Sequence, residues 1–297
     1  MKQPSKNNAP LLNSEEIKRL IQHANSSTPP HNSSNQIAPV GENPASLIGS
    51  GMDFAEYRPY HRGDDPRHID WRASARNIQT LTRRFNSEQD TPCCIVIDRN
   101  SSMGFATQTR LKATQAARVG IYCGAQLLKA GEQLSCLILD DSLYWQAASN
   151  SLENWLKTAQ YASKAYPPNT NNSTTNWSQV SHLLQSNITQ GSHLILISDF
   201  LSPADQQQKD HKALTFLSQF YNLTLACISD PAEHSLTQQQ VNLRSQQQAY
   251  NISTRNDLKE INRRLSQYQQ QLQHRLSKLN GTTHFIKTVD AIEHLTF

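Results

Sequence analysis

The chain has 297 residues, which allows one large domain with a tail or two modest domains. Charged residues make up only 18% and the formal net charge is +4, a mild basic excess that does not by itself indicate nucleic-acid binding. The five cysteines form no C-x-x-C pair, which argues against zinc ribbons and thioredoxin-like redox sites. No run approaches the ~18 apolar residues of a membrane span, and the N-terminus lacks the apolar stretch of a signal peptide. We therefore expect a cytoplasmic chain without a membrane span.

Residues 1–45 are rich in Asn, Ser, Pro and Gln, and such a composition cannot bury enough apolar surface to offset the entropy of the chain. The exception is Ser14 to Ala24, where apolar residues fall on one face of a helix and Ser14 can act as the N-cap. The sequence therefore predicts a flexible N-terminal region that contains one short helix.

Residues 46–90 concentrate arginines, carboxylates and aromatic side chains, most densely in EYRPYHRGDDPRHIDWRASAR from Glu56 to Arg76. RGDDPR has the composition of a turn, Asp70 can cap a short helix that begins at Trp71, and TLTRRF alternates like an edge strand. One hypothesis is a clasp of ion pairs and aromatic rings that pins this segment to the main domain. The other hypothesis is a recognition surface for a partner.

From residue 91 onward, apolar runs alternate with segments of helical periodicity. In chain order the strands are PCCIVID, QLSCLILDD, SLYWQAA, SHLILISDF, LTLACISD and THFIKTV, and most are separated by amphipathic helices. This alternation predicts an α/β domain over 91–297 with a doubly wound, mostly parallel sheet. Ligands of such sheets bind at the carboxyl ends of the strands. No G-x-G-x-x-G or P-loop follows any strand, which argues against a dinucleotide enzyme or an NTPase.

Oxygen-bearing side chains follow two of these strands, in DRNSSM and SDF, and a third loop, NNSTTNW, adds threonines. Carboxylate, amide and hydroxyl oxygens with few formal charges suit Mg²⁺. The candidate ligands are Asp98, Asn100, Ser102, Thr175 and Asp199, with Thr174 as the rival of Thr175. The alternative is that the two aspartates only cap the helices that follow them and that no metal binds.

This pattern resembles the metal-ion-dependent adhesion site of von Willebrand factor type A domains, where a D-x-S-x-S loop, a threonine and an aspartate hold one divalent cation. The resemblance implies Mg²⁺ held by Asp98, Ser102, Thr175 and Asp199, in a von Willebrand factor A-like, Rossmann-like fold. Asn100 stands where that family has a serine, so the site is degenerate.

The stretch GSGMDFAEYRPYHRGDDPRHIDWRASARN closely resembles the signature of the domain-of-unknown-function 58 (DUF58) family, which joins such a segment to a von Willebrand-type domain. CCIVIDRNSSM, LILISDF and ISDPAEHSL fall where that family has its first strand, its metal-loop strand and an Asp-Pro motif. The resemblance covers about residues 46–297. The signature residues are Arg62, Gly63, Asp64, Asp65, Pro66, Arg67, Asp70, Trp71 and Arg76.

The family resemblance implies a non-catalytic adaptor that works with a MoxR-type AAA+ ATPase, in a chaperone-like role, to assemble or activate other proteins. A metal-dependent hydrolase is the alternative from another class, but no general base or second metal cluster accompanies the site. Nucleic-acid binding through the arginine-rich segment is a third hypothesis, which the acids at 64, 65 and 70 oppose because they would repel phosphate. We therefore expect a protein partner, no nucleic acid and no turnover.

Overall fold

A computed structural model describes residues 10–26, 54–60, 66–77, 79–85, 92–140, 143–166, 175–203, 205–236, 241–244, 249–252 and 255–292. The chain divides into two compact units. The larger unit comprises residues 1–30 and 91–297, and the smaller unit comprises residues 31–90. The helix expected near the N-terminus therefore belongs to the larger unit.

The helices and strands are numbered in chain order. The helices are α1 (Ser14–Ser26), α2 (Trp71–Ser74), α3 (Lys112–Lys129), α4 (Leu152–Ala162), α5 (Trp177–Asn187), α6 (Gln207–Phe220) and α7 (Arg255–Ser277). The strands are β1 (Phe54–Pro59), β2 (Leu81–Phe85), β3 (Cys93–Asp98), β4 (Leu134–Leu139), β5 (Tyr144–Ser149), β6 (His193–Ser198), β7 (Asn222–Ser229), β8 (Val241–Arg244), β9 (Ala249–Ile252) and β10 (Gly281–Lys287). Among the described residues, short 3₁₀ helices cover Pro66–His68, Ser101–Gly104 and Pro231–Glu233.

The larger unit is built on a six-stranded sheet of order β10-β7-β6-β3-β4-β5. Neighbouring strands are parallel except for the antiparallel edge pair β4–β5. This confirms the predicted α/β class with a mostly parallel sheet. The strand order reverses between β3 and β6, because the chain adds β4 and β5 on one side of β3 and then returns to its other side. Two antiparallel strand pairs among the described residues, β1–β2 in the smaller unit and the hairpin β8–β9 in the larger one, include short polar strands that the sequence did not predict.

Both faces of the sheet are covered, which explains the continuous apolar runs of its central strands. Side chains such as Ile95 and Ile97 of β3 point to the face whose hydrophobic core is shared with α1, α3 and α4. Their neighbours Cys94 and Val96 point to the other face, against α5, α6 and α7. Alternating residues of one strand therefore enter two separate cores, and the charged residues that follow the strands are left at the edge of the sheet.

The N-terminal helix α1 lies against the core of the larger unit through Ile17, Leu20 and Ile21, which are buried. Its N-cap is Asn13 rather than the expected Ser14. The Asn13 Oδ1 atom accepts from the Glu16 backbone N–H at 2.8 Å, and Glu16 accepts in return from the Asn13 backbone N–H at 2.9 Å. This reciprocal pair is a capping box, so the first helical turn is fixed one residue earlier than predicted. None of the helices among the described residues is long and apolar enough to cross a membrane.

Candidate functional site

The site lies where β3 and β6 end, at the position where the strand order reverses. Ligands of doubly wound sheets bind in the crevice that forms outside the carboxyl ends of the strands at such a switch point. Asp98 is the last residue of β3, and Asp199 directly follows Ser198, the last residue of β6. The fold therefore places the two aspartates on neighbouring strands at the edge where ligands bind, and both are buried.

The Asp98 carboxylate accepts four hydrogen bonds from neutral donors. Its Oδ1 atom accepts from the backbone N–H and the side-chain amide of Asn100, each at 2.9 Å. Its Oδ2 atom accepts from the hydroxyls of Thr175 at 2.7 Å and Ser198 at 2.6 Å. A carboxylate offers about four lone-pair positions, so donors from the protein occupy all of those on Asp98.

Three of the five predicted ligands, Asp98, Asn100 and Thr175, are therefore joined by direct hydrogen bonds. The Asn100 amide also donates to the Thr175 hydroxyl at 2.5 Å. Ser102 is half-buried in the 3₁₀ helix Ser101–Gly104, and the hydrogen bonds that reach Asp98 come from other residues. The rival threonine, Thr174, lies outside the described residues. Where the family resemblance leads us to expect a serine, the Asn100 side chain donates hydrogen bonds to two oxygen atoms, one on Asp98 and one on Thr175.

The Asp199 carboxylate is held by a cation instead. Its Oδ2 atom lies 2.8 Å from the Nζ atom of Lys112, the first residue of α3, and its Oδ1 atom accepts from the Leu201 backbone N–H at 3.0 Å. The same ammonium lies 2.6 Å from Glu233 Oε1. Lys112 is only 1% exposed, so it forms a buried bridge between the end of β6 and the 3₁₀ helix that follows β7.

The Asp-Pro motif after β7 supplies a third carboxylate to this edge. Asp230 is fully buried and accepts from both the backbone N–H and the hydroxyl of Thr107, which fastens the loop between Ser101–Gly104 and α3. Asp230 and Glu233 also form a capping box, in which Glu233 Oε2 accepts from the Asp230 backbone N–H at 2.8 Å. The capping box fixes the position of Glu233 from which it reaches Lys112.

The backbone after Asp199 is strained. Phe200 has a φ of +52°, a left-handed conformation that costs a bulky residue energy and is frequent at functional sites. The Phe200 ring stacks on Trp177, the first residue of α5, with ring centroids 5.3 Å apart. This packing holds the turn from which Asp199 reaches Lys112.

The side chains of Arg99 and Tyr166 fasten the backbone that follows Asp98. The buried Arg99 guanidinium donates to four backbone carbonyls at and just beyond the C-terminus of α4, at 2.8 to 3.2 Å. A cation is favourable at that end of a helix. The Tyr166 hydroxyl donates to the carbonyl of Asn100. Both contacts fix the backbone that carries the Asp98 network.

Burial and neighbouring charges shift the pKa values of Asp98 and Lys112. Burial raises the pKa of the Asp98 carboxyl to about 6, and the nearby charge of Asp199 adds to this, while the hydrogen bonds from Ser198 and Thr175 oppose it. Burial alone would lower the pKa of the Lys112 ammonium, but the charges of Asp199 and Glu233 outweigh burial and raise that pKa. The lysine is therefore charged at neutral pH.

The residues present do not fit Mg²⁺ as they are arranged. Mg²⁺ requires free oxygen ligands in near-octahedral geometry. The oxygens of Asp98 are taken by four donors, those of Asp199 by Lys112 and Leu201, and the Asn100 side chain presents its amide N–H groups to the oxygens of Asp98 and Thr175. Among the described residues, no group of three or more His, Cys, Asp or Glu side chains could hold a metal ion.

Three residues of the site, Lys112, Glu233 and Ser198, are not among those predicted from the sequence. Lys112 and Asp199 are 87 residues apart, and a lysine at the start of an amphipathic helix gives no sign of burial. Glu233 did carry a signal, because D-x-x-E in DPAE matches a capping box. Ser198 precedes a predicted ligand, and its orientation depends on the turn at Phe200.

In the smaller unit, Asp70 caps α2 as predicted. Its Oδ1 atom accepts from the backbone N–H groups of Arg72 at 3.0 Å and Ala73 at 2.9 Å, and its Oδ2 atom accepts from the Tyr57 hydroxyl at 3.1 Å. Trp71 is 70% exposed. Pro66, Arg67 and Arg76 are exposed as well, while the signature residues Arg62, Gly63, Asp64 and Asp65 lie outside the described residues.

Comparison with known proteins gives relatives of unestablished function. Uncharacterized proteins of Mycobacterium bovis and Mycobacterium tuberculosis are 30% identical over 67 residues, which is 23% of this chain and 21% of theirs. The chain thus matches about a fifth of the length of these curated relatives.

Two solved structures show a weak likeness. The conserved hypothetical protein BatB of Bacteroides thetaiotaomicron matches at 10% identity with a TM-score of 0.40, over 68% of this chain and 91% of that one. An uncharacterized membrane spanning protein of Vibrio fischeri matches at 12% identity with a TM-score of 0.20, over 68% and 92%. The family model described as "Protein of unknown function DUF58" matches residues 56–275, most of the chain, and the protein therefore belongs to the DUF58 family.

Proposed function

We propose that this chain is a non-catalytic adaptor that binds a partner protein through the edge where β3 and β6 end. One observation carries the proposal. Asp98, Asp199, Asp230 and Glu233 gather at that edge together with one ammonium. All of these groups except Glu233 are buried, a collection of charges that costs folding energy, and clusters of this kind concentrate at functional sites.

A von Willebrand factor A-like assignment is part of the proposal. Counted from β3, the first strand of the sheet, the strand order reads 6-5-4-1-2-3, the doubly wound arrangement with its switch point between strands 1 and 4. The D-x-N-x-S loop from Asp98 to Ser102 follows strand 1, as the adhesion-site loop does in the resembling family. In that family the same edge contacts other proteins.

The partner class comes from the family resemblance and is a MoxR-type AAA+ ATPase or its client, with the chain acting in a chaperone-like role in the cytoplasm. The edge offers such a partner one exposed aromatic ring, since Phe105 is 41% exposed and lies 5.7 Å from the Lys112 ammonium. Aromatic side chains are frequent anchors of protein interfaces.

The test uses two phenylalanines of similar exposure at different places. Phe105→Ser alters the proposed face, and Phe285→Ser on β10, where Phe285 is 46% exposed, is the matched control. Binding of each purified variant to a purified MoxR-type ATPase is measured by biolayer interferometry. We expect Phe105→Ser to weaken binding by about tenfold or more, as for a central aromatic anchor, and Phe285→Ser to bind like wild type. Equal binding by both variants would remove this face from the function.

A second candidate, a hydrolase, has one observation in its favour. The Ser229 hydroxyl, at the end of β7, lies 2.9 Å from His234 Nε2. A nucleophile and base also require a third group that orients the histidine, and among the described residues no carboxylate hydrogen-bonds to His234. We expect no ester or phosphoester hydrolysis by the pure protein above that of Ser229→Ala and Asp199→Asn. Turnover lost in either variant would place the protein among the enzymes.

A further inference from the structure

The position of Lys112 is electrostatically unusual. It is the first residue of α3, where unpaired backbone N–H groups give the helix a partial positive charge, so a cation there is unfavourable. It is also 1% exposed, so water cannot screen the charge. A lysine in this place persists only where other groups compensate its charge strongly.

That compensation comes from two strand ends at once. Lys112 Nζ contacts Asp199 Oδ2 at 2.8 Å and Glu233 Oε1 at 2.6 Å. The other oxygens of these carboxylates are fixed by the backbone N–H groups of Leu201 and Asp230. Each carboxylate is therefore oriented independently of the lysine, and the ammonium lies between two preset anionic groups, as a bound cation would.

Around Asp98, neutral hydrogen-bond donors occupy the positions that a metal ion would need. The Asn100 amide donates to Asp98 and to Thr175 at once. A serine hydroxyl, with a single proton, could donate to only one of them and would keep lone pairs for a metal. Asn100 and Lys112 therefore both stabilise the carboxylates of the cluster. Asn100 does so by donating hydrogen bonds, and Lys112 does so by adding a positive charge.

We infer that the Lys112 ammonium is the resident cation of this cluster and that it takes the role which the resembling adhesion sites give to a divalent metal. The cluster then holds its geometry without Mg²⁺, and any partner that this edge binds is bound in the absence of metal. The inference concerns the charge balance of the cluster and does not depend on the proposed function.

The first experiment needs no substitution. Wild type freed of metal is titrated with Mg²⁺ and with Mn²⁺ by isothermal calorimetry, and its thermal melting is recorded with each ion and with EDTA. We expect no saturable heat and a melting temperature that is the same in all three solutions. Binding of one metal ion per chain that is lost in Asp199→Asn would overturn the inference.

The second experiment removes the ammonium. Lys112→Met keeps the length of the side chain without its charge, and Lys212→Met, at an exposed position on α6, is the matched control. We expect Lys112→Met in EDTA to melt about 10 °C lower than wild type, because the buried Asp199 and the partly exposed Glu233 lose their cation. Lys212→Met should melt as wild type does.

Adding Asn100→Ser to Lys112→Met restores the hydroxyl of the D-x-S-x-S pattern and should open the cluster to metal. We expect Mn²⁺ to raise the melting temperature of this double variant and to leave wild type unchanged. Identical melting of Lys112→Met and Lys212→Met would refute the role of Lys112. Should the Lys112 variants fail to fold, the wild-type titration still decides whether metal binds.

Discussion

Asp98 ends β3 and Asp199 lies one residue beyond the end of the neighbouring parallel strand β6, and the protein stabilises their charges in different ways. Asp98 is surrounded by dipoles, with four hydrogen bonds from two hydroxyls, one side-chain amide and one backbone N–H. Asp199 is paired with a full positive charge on Lys112. Both are buried, at 0% and 3% exposure, so solvent accounts for none of the difference.

The comparison shows that hydrogen bonds alone do not fully replace water around a buried carboxylate. Despite its four donors, Asp98 has a pKa raised to about 6, chiefly because of burial and then because of the Asp199 charge. The single ammonium of Lys112 is shared by Asp199 and Glu233 and makes no contact with Asp98. Asp98 is therefore a carboxylate that can take up a proton in mildly acidic solution.

The largest effect is expected from Asp199→Asn, which removes one charge without changing size. The NH₂ group of the new Asn side chain would face either the Lys112 ammonium or the Leu201 backbone N–H. Two hydrogen-bond donors would then face each other without an acceptor. We expect a loss of about 3–5 kcal/mol in the free energy of unfolding, the usual cost of breaking a buried ion pair. Urea denaturation followed by circular dichroism measures it.

The control for that loss is the double variant Asp199→Asn with Lys112→Met, which removes both charges. If the ion pair is the cause, the double variant should lose less than the sum of the two single variants, by at least about 1 kcal/mol. Additive losses would mean that Asp199 and Lys112 act separately, and the contrast with Asp98 would disappear.

Asp98→Asn is expected to have an intermediate effect that depends on pH. Between the ordinary pKa of 3.8 and the folded value of about 6, the folded wild type holds a proton that the unfolded chain has released. Wild-type stability therefore falls as pH rises through this window, and the effect is complete above pH ~6. An Asn side chain does not titrate, so the stability of Asp98→Asn lacks this dependence on pH.

We therefore expect Asp98→Asn to be about 1–3 kcal/mol less stable than wild type near pH 4, because the amide of Asn directs two N–H donors at groups that themselves donate, whereas the protonated carboxyl of Asp98 directs only one O–H. The deficit should shrink toward pH 7. Urea denaturation of both proteins at a series of pH values measures the difference, from which other titrating groups cancel. A deficit that is constant with pH would contradict the raised pKa.

The sequence predicted the scaffold of this cluster better than its charge balance. The apolar runs CCIVID and HLILIS fixed β3 and β6 because continuous burial leaves a strong pattern. The same runs located Asp98 and Asp199 at the ends of the strands. Lys112 could not be predicted, since its pairing with Asp199 depends on how α3 packs across the sheet. The polar hairpin β8–β9 was missed because VNLR and AYNI are too short to show a period.

Glu233→Gln should have the smallest effect, although it removes the same charge from the same ammonium as Asp199→Asn. The Glu233 side chain is 20% exposed, whereas that of Asp199 is 3% exposed. Water can therefore reach the position of the lost carboxylate oxygen and solvate the donor that Gln leaves unpaired.

We expect Glu233→Gln to lose about 1 kcal/mol, close to the value of one net hydrogen bond, against several times that loss for Asp199→Asn. Urea denaturation of the two single variants under one set of conditions measures the ratio. Asp205→Asn, at an exposed position before α6, is the control for removing one acidic charge from the surface. If Glu233→Gln and Asp199→Asn lose equal stability, exposure does not separate the two carboxylates, and Lys112 depends equally on both. If Glu233→Gln instead is as stable as Asp205→Asn, Lys112 is held by Asp199 alone, and the bridge from β6 to the Asp-Pro motif contributes nothing to stability.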